Sequence, residues 1–343
     1  MTTPLPLSDY DFPFPEELIA SEAAEPRDSS KLMVVDRATG ALDHRIFRDL
    51  PDLLSPGDCV VVNKTKVFSC RLMGKKSTGG KADMLLVKEM EPGLWAALAS
   101  GFKRGGLLEF PGGLTAVIEG LTEDGEYLIR FSTTDLLSYF ETHGMAPLPP
   151  YISKKRPAKD SDRERYQTVY AEERGSIAAP TAGLHFTPQV FERLKAKGIE
   201  TAHVTLHVGR GTFRPIQSDD AAAHKMLAEW FKLDAEDAAR ITAARAAGKR
   251  VVSVGTTSTR TLETLAARPE GLGPGTGWTS LYITPGHQFR AATALLTNFH
   301  LPKSTPLLLA SAFLGRDKLL AAYQEAFRLR YRLYSFGDAM LVL

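Results

Sequence analysis

Arg250-Val251-Val252-Ser253-Val254-Gly255-Thr256-Thr257-Ser258-Thr259-Arg260-Thr261-Leu262-Glu263 is the stretch that decides the fold. Its first part is a short run with the texture of a strand buried on both faces; its second is a polar helix pattern entered through a glycine. A buried strand running straight into a helix is the unit of an α/β domain. The hydroxyls of Thr256, Thr257 and Ser258 and the free backbone N–H groups at that helix start offer a place for an anion, with Arg260 and Glu263 further along the helix. Threonines at a helix start serve equally as caps. The same layout recurs downstream: a strand from Ala294 to Leu296, then Asn298-Phe299-His300-Leu301-Pro302-Lys303, then a helix with Ser304 or Thr305 as cap and Pro306 at its first position. Two such junctions in one domain favour a shared ligand cleft.

Helices and strands alternate between these junctions and the middle of the chain. Thr187-Pro188 starts a helix that Gly198 stops before a strand from Thr201 to Val208; Asp234 is expected to cap the next helix and Gly248 to end it. From Val67 to about Phe131 the texture differs. Short strand-like runs at Ala82 to Lys88, Leu94 to Ala99, Leu114 to Glu119 and Tyr127 to Phe131 are separated by Gly79-Gly80, Pro92-Gly93, Gly105-Gly106, Pro111-Gly112-Gly113 and Asp124-Gly125. Regular short strands with glycine turns predict a small antiparallel β-barrel. The fold class expected is therefore mixed α/β, a main domain interrupted by an inserted barrel. Its parts are 1–62, the insert 63–146, and 147–343 carrying the catalytic cleft.

Composition sets the class. A chain of 343 residues that is 43% hydrophobic buries a large core and is long enough for two domains. The apolar run Leu307 to Leu314 is far short of a membrane span, and the proline- and acid-rich start lacks a secretion signal, so a cytoplasmic protein is expected. The two cysteines, Cys59 and Cys70, form no Cys-x-x-Cys pair, so neither a structural zinc nor a disulfide framework is indicated. A net charge of +2 is too small to argue for nucleic acid, so any RNA footprint must be local.

Arg174-Gly175-Ser176-Ile177-Ala178-Ala179-Pro180-Thr181-Ala182-Gly183-Leu184-His185-Phe186 is too poor in packing residues for core and too poor in charge for a linker. Pro180 fixes one φ, and Gly183 is expected to supply a turn conformation closed to other residues just before the imidazole of His185. Of eight histidines, His185, His207 and His300 lie in glycine- or proline-flanked blocks at strand ends. His203 and His207, four apart on a strand, sit too far along it to share one ion at roughly 3.3 Å per residue, so no metal site is expected. His44 and His143 read as surface or packing residues; His287 fits either role.

These blocks, in this order, closely resemble the S-adenosylmethionine:tRNA ribosyltransferase-isomerases of queuosine biosynthesis, whose chains carry a nearly identical Ala-Ala-Pro-Thr-Ala-Gly-Leu-His-Phe-Thr run. The resemblance extends to the opening Ser8 to Ala20, Arg27 to Leu32, Leu148 to Ile152 and Asp162 to Tyr170. It continues through Thr205 to Phe213, Gly255 to Glu263, Thr297 to Thr305 and Tyr334 to Met340. It implies transfer of the ribosyl group of S-adenosylmethionine, a co-substrate, to 7-aminomethyl-7-deazaguanine in tRNA. Adenine and methionine are then released, no other cofactor takes part, and a monomer without membrane attachment is expected. On that basis His185, His207, Glu229 and His300 are the candidate proton-transfer groups, with no order of roles among them. Thr181, Gly183, Gly209, Gly211, Thr212, Gly255, Thr256, Thr257, Arg260, Glu263 and Asn298 are the candidate substrate contacts, Arg260 and the Gly255 junction facing the methionine carboxylate. The segment Lys154 to Arg165 holds six basic and three acidic residues. Its Lys154, Lys155, Arg156, Arg163 and Arg165, with Tyr166 as a stacking ring, are the candidate tRNA contacts; a solvated charged loop is the alternative.

Departures from the family pattern are few. Asn63-Lys64-Thr65-Lys66-Val67 stands where members read Asn-Asp-Thr-Arg-Val, Leu227 replaces a histidine in His224-Lys225-Met226-Leu227-Ala228-Glu229, and Thr284 stands where tyrosine is common. They leave a second reading open, a divergent paralogue that binds tRNA with altered or weakened catalysis. A methyltransferase is disfavoured, since no glycine-rich loop follows an early strand.

Overall fold

The computed structural model describes residues 5–209, 211, 216 and 218–343. The first strands are β1 (Lys31–Val35), β2 (Leu42–Ile46), β3 (Cys59–Asn63) and β4 (Thr65–Val67). Then come β5 (Arg71–Lys76), β6 (Lys81–Glu91), β7 (Leu94–Ala99), β8 (Leu107–Glu109), β9 (Thr115–Leu121) and β10 (Tyr127–Phe131). β11 (Glu173–Ser176) and β12 (Glu200–Leu206) follow, with β13 (Glu229–Leu233), β14 (Val251–Val254), β15 (Gly275–Thr279), β16 (Ala294–Asn298) and β17 (Ala339–Val342) completing the set.

Nine strands form one sheet in the order β15-β13-β12-β3-β14-β16-β17-β1-β2. Its centre, β12-β3-β14-β16, is parallel. A parallel centre needs cover on both faces, and every residue of Cys59-Val60-Val61-Val62-Asn63 is buried accordingly. Val60, Val62, Val252, Val254 and Leu296 share one face and pack with Val190 and Leu194 of the helix Pro188–Ala196. Ser253, one residue out of phase, looks the other way, and its Oγ lies 2.9 Å from Oγ1 of Thr259 in the helix Gly255–Ala266. Helices therefore cover both faces, and each fully buried Val or Leu contributes about 1.5–3 kcal/mol.

Local signals act mostly as read. The Thr187 hydroxyl accepts from Val190 N–H, and Ser304 is the cap of the helix Thr305–Leu314. Asp234 is a correction: it makes no side-chain cap, because its carboxylate goes instead to Lys232 (2.9 Å) and Lys64 (3.6 Å). β12 is also shifted, running from Glu200 to Leu206.

The chain divides into two compact units, one of 1–66, 167–174 and 179–343, the other of Val67–Tyr166 and Gly175–Ala178. The second unit contains a closed barrel in the order β10-β7-β6-β5-β8-β9. Alternation in β6 puts Ala82, Met84 and Leu86 inside, while Gly79 and Gly93 turn the chain at φ +86° and +75°. This unit is larger than the 63–146 read from strand texture, because the segment to Tyr166 packs with it in spite of its charge.

Candidate active site

Parallel strands bring their carboxyl ends to one edge, and in open α/β sheets that edge is where ligands bind. Here it holds Asn63 closing β3, His207 after β12, Gly255 after β14 and Asn298 closing β16. Gly255 enters its helix at φ +79°, and a Cβ there would lie 3.5 Å from that of Ala182, which sets the turn Thr181–His185 against the helix start.

One polar chain runs through that turn. Thr181 Oγ1 donates to Asn298 Oδ1 (3.0 Å), Asn298 Nδ2 donates to His185 Nε2 (3.1 Å), and His185 Nδ1 lies 2.7 Å from Ser30 Oγ. An acceptor at Nε2 leaves the proton on Nδ1, directed to Ser30. The ring stacks on Phe47 at 5.0 Å and is 4% exposed. Burial, helped by the charges of Arg332 and Arg27, lowers its pKa to about 3. Neutral and bonded at both nitrogens, His185 orients Asn298 and has no free nitrogen with which to exchange a proton. Gly183 is needed for a reason other than the one expected: its φ is not left-handed, but a Cβ would overlap the Tyr170 hydroxyl and come within 2.9 Å of Thr168 Cγ2. That hydroxyl is buried without a partner among the described residues.

Asn63, which the sequence reading passed over, is the clamp of the second cluster. Its Oδ1 accepts from Thr65 N (3.1 Å) and Leu206 N (3.0 Å), and its Nδ2 donates to Leu206 O (3.0 Å) and Thr257 Oγ1 (3.1 Å). Thr257 is thereby a structural tie; Thr256, half-buried beside it, has no side-chain partner among the described residues. His207 follows the clamp. Its ring stacks on Trp230 at 4.9 Å, its Nδ1 lies 2.8 Å from Thr65 Oγ1, and Nε2 has no partner among the described residues. Desolvation lowers its pKa, with Glu173 opposing.

Glu229 and Arg260, read from sequence as a proton-transfer group and a carboxylate contact, are brought together. They form an ion pair, 4% and 6% exposed, between Glu229 Oε2 and Arg260 Nη1. Glu229 Oε1 accepts from Gly209 N (2.8 Å), while Arg260 also donates to Leu281 O (2.9 Å) and Thr279 O (3.2 Å). The pair ties the loop after His207 to the helix Gly255–Ala266 through Gly209 N. Glu263 is likewise internal: 1% exposed, it accepts from Arg290, Ala291 and Ala292 N–H groups at 2.7–3.0 Å. His300 is half-buried; its Nε2 lies 2.7 Å from Thr297 Oγ1, and desolvation lowers its pKa to about 4. No hydrogen bond among the described residues joins it to the His185 chain. Gly211 is described, and a Cβ on it would sit 3.5 Å from that of Leu227; Thr212 lies outside the described residues.

Lys64, the base where an acid is usual, is answered by Glu172 (3.2 Å), Glu173 (3.3 Å) and Asp234 (3.6 Å). His203, the other half of the dismissed metal pair, lies 3.5 Å from Asp237. Among the described residues no three His, Cys, Asp or Glu side chains are grouped as metal ligands, and no helix is long and apolar enough to cross a membrane.

The expected tRNA contacts separate in the barrel-containing unit. Arg156 makes a bidentate pair with Asp162 (2.7 and 2.8 Å), and Arg163 donates to the carbonyls of Glu141 (2.9 Å) and Thr142 (3.1 Å). Tyr166 is 2% exposed, so it has no face for a base, and Arg165 is half-buried. Lys154 and Lys155 are exposed.

Residues 7–342 match the family described as queuosine biosynthesis protein. An S-adenosylmethionine:tRNA ribosyltransferase-isomerase of Symbiobacterium thermophilum is 49% identical, the match covering 98% of this chain and 99% of the relative. Its namesake in Anaeromyxobacter sp. strain Fw109-5 is 50% identical over 98% of each chain. The crystal structure of the S-adenosylmethionine tRNA ribosyltransferase of Thermotoga maritima superposes with a TM-score of 0.57 at 38% identity, covering 98% of this chain and 100% of that one.

Proposed function

The chain belongs to the queuosine biosynthesis protein family, and from that membership we propose that it is an S-adenosylmethionine:tRNA ribosyltransferase-isomerase. The observation that carries the reading is the end-to-end agreement with relatives of that name, which spans both clusters at the carboxyl edge. The reaction moves the ribosyl group of S-adenosylmethionine onto 7-aminomethyl-7-deazaguanine in tRNA, forms the epoxycyclopentane-bearing base and releases adenine and methionine. The positive sulfur acidifies the C5′ hydrogens, so the first need is a neutral base. His207 suits it: burial keeps the ring neutral at pH 7, Thr65 and Trp230 fix its plane, and with Nδ1–H directed to Thr65 the lone pair sits on Nε2. Thr181 and Asn298, aligned by His185, suit the ribosyl hydroxyls. The methionine carboxylate is assigned to the helix start at Gly255 and Thr256, where the dipole and free N–H groups favour an anion. Lys154 and Lys155 remain as candidate phosphate contacts. A tRNA substrate places the enzyme in the cytoplasm, and we take it to act as a monomer.

The reading is tested by incubating the protein with S-adenosylmethionine and a tRNA bearing 7-aminomethyl-7-deazaguanine. Adenine, methionine and epoxyqueuosine in equal amounts are expected. S-adenosylhomocysteine with methylated RNA, or tRNA binding without product, would overturn it.

A further inference from the structure

A recess of about 320 Å³ opens beside the His185 chain, lined by Ala24, Ser29, Lys31, Arg330, Arg332 and Asp338. Ser29 and Lys31 flank Ser30, whose hydroxyl meets His185, so one short segment serves both places. The wall carries three cations against one carboxylate. Asp338 is 1% exposed, with its oxygens taken by Lys31 N (3.0 Å), Arg332 N (2.7 Å) and the Arg332 guanidinium (3.4 Å). Lys31 Nζ is held by the neutral carbonyls of Leu329 (2.8 Å) and Arg330 (3.3 Å), and Arg332 Nη1 by Glu22 O (3.3 Å), so the one carboxylate, shared with Arg332, leaves a net positive wall. The resulting field reaches His185, where Arg332 counts among the causes of its low pKa.

Arg330 is the informative member. It sits one residue past the C-cap Leu329 of the 13-residue helix Arg316–Arg328, with φ +53°, where glycine is the residue without a steric cost. Its side chain is exposed and has no ion-pair or hydrogen-bond partner among the described residues. A strained backbone that presents an unpaired guanidinium beside two anchored cations is arranged for an anion with several acceptor oxygens.

We propose that this recess binds a backbone phosphodiester of the tRNA, next to the site of ribosyl transfer; the proposal rests on the tRNA reading above. The methionine end of the co-substrate fits less well, since its ammonium would meet cations while Asp338 is already engaged.

The test is equilibrium tRNA binding by Arg330→Gly over a salt series, with turnover and KM for S-adenosylmethionine measured alongside. Glycine takes up φ +53° without strain, so the variant should melt no lower than wild type. Affinity for tRNA should fall about tenfold, and the slope of log affinity against log salt should lessen by about 0.7–0.9, the loss of one phosphate contact. Inorganic phosphate at constant ionic strength should compete with tRNA on the wild type and less on the variant. KM for S-adenosylmethionine should not change. Unchanged tRNA affinity and slope would overturn the proposal, as would a raised KM for S-adenosylmethionine with normal tRNA binding, which would place the carboxylate here. Binding is read without turnover, so a wild type that binds tRNA yet yields no epoxyqueuosine sinks the activity and leaves the recess to be judged by its salt slope.

Discussion

At the scale of single residues, the site is held by close approach more than by unusual backbone. Gly183 is the sharpest case, because any side chain there meets the Tyr170 ring. Gly183→Ala should destabilise the protein by about 1–3 kcal/mol, the usual cost of overpacking. Tyr170→Phe removes both the obstructing atom and a buried hydroxyl without a partner, so it should be neutral or stabilising alone and should recover part of the loss in combination. Urea denaturation of the two single variants and the double variant decides it; a double variant no better than Gly183→Ala would show that the hydroxyl is not the obstacle.

At the scale of elements, β13 is tied to the helix Gly255–Ala266 by a buried ion pair, Glu229 with Arg260. Removing one member strands the other, which costs about 3–5 kcal/mol. Glu229→Gln should therefore lower stability along with turnover, and a normal melting temperature with lost activity would return Glu229 to the catalytic set. Elements were legible where local patterns rule: β10 runs from Tyr127 to Phe131 as the strand-like run after the Asp124-Gly125 turn predicts, and Ser304 caps its helix. The ties that build the site were not, since Ser30 and His185 lie 155 residues apart and Asn63 and Leu206 143 apart. An asparagine closing the apolar run Cys59 to Val62 was the one available signal for the clamp. The partners of Arg260 and Glu263 were equally hidden, because residue type alone does not show that Glu229 and the N–H groups of Arg290 to Ala292 meet them. In the charged segment before Tyr166, Arg156 belongs to Asp162 in the same way, so Lys154→Ala with Lys155→Ala should weaken tRNA binding while Arg156→Ala chiefly lowers stability. Filter binding and thermal melts separate the two; normal tRNA affinity in the lysine pair would leave a solvated loop.

For the whole molecule, two desolvated neutral imidazoles, one buried and one half-buried, tie stability to pH. His185 and His300 titrate at about 3 and about 4 when folded and near 6.5 when unfolded. Between those values the unfolded chain binds protons that the folded chain refuses, so stability is full above about 6.5 and falls as pH drops through that window. The limiting slope is two protons for the pair, and His185→Gln should remove one. Denaturation midpoints at several pH values check this, and an unchanged slope in the variant would mean that His185 is protonated in the fold.

Ribosyl transfer, as proposed above, turns most on His207 as its neutral base. The single-turnover rate of adenine release by His207→Ala, at saturating S-adenosylmethionine and tRNA, tests that directly. A fall on the order of 10² to 10⁴ is predicted, with both substrates bound as by wild type and the fold intact. A rate within a few-fold of wild type would contradict it and move the base away from the end of β12.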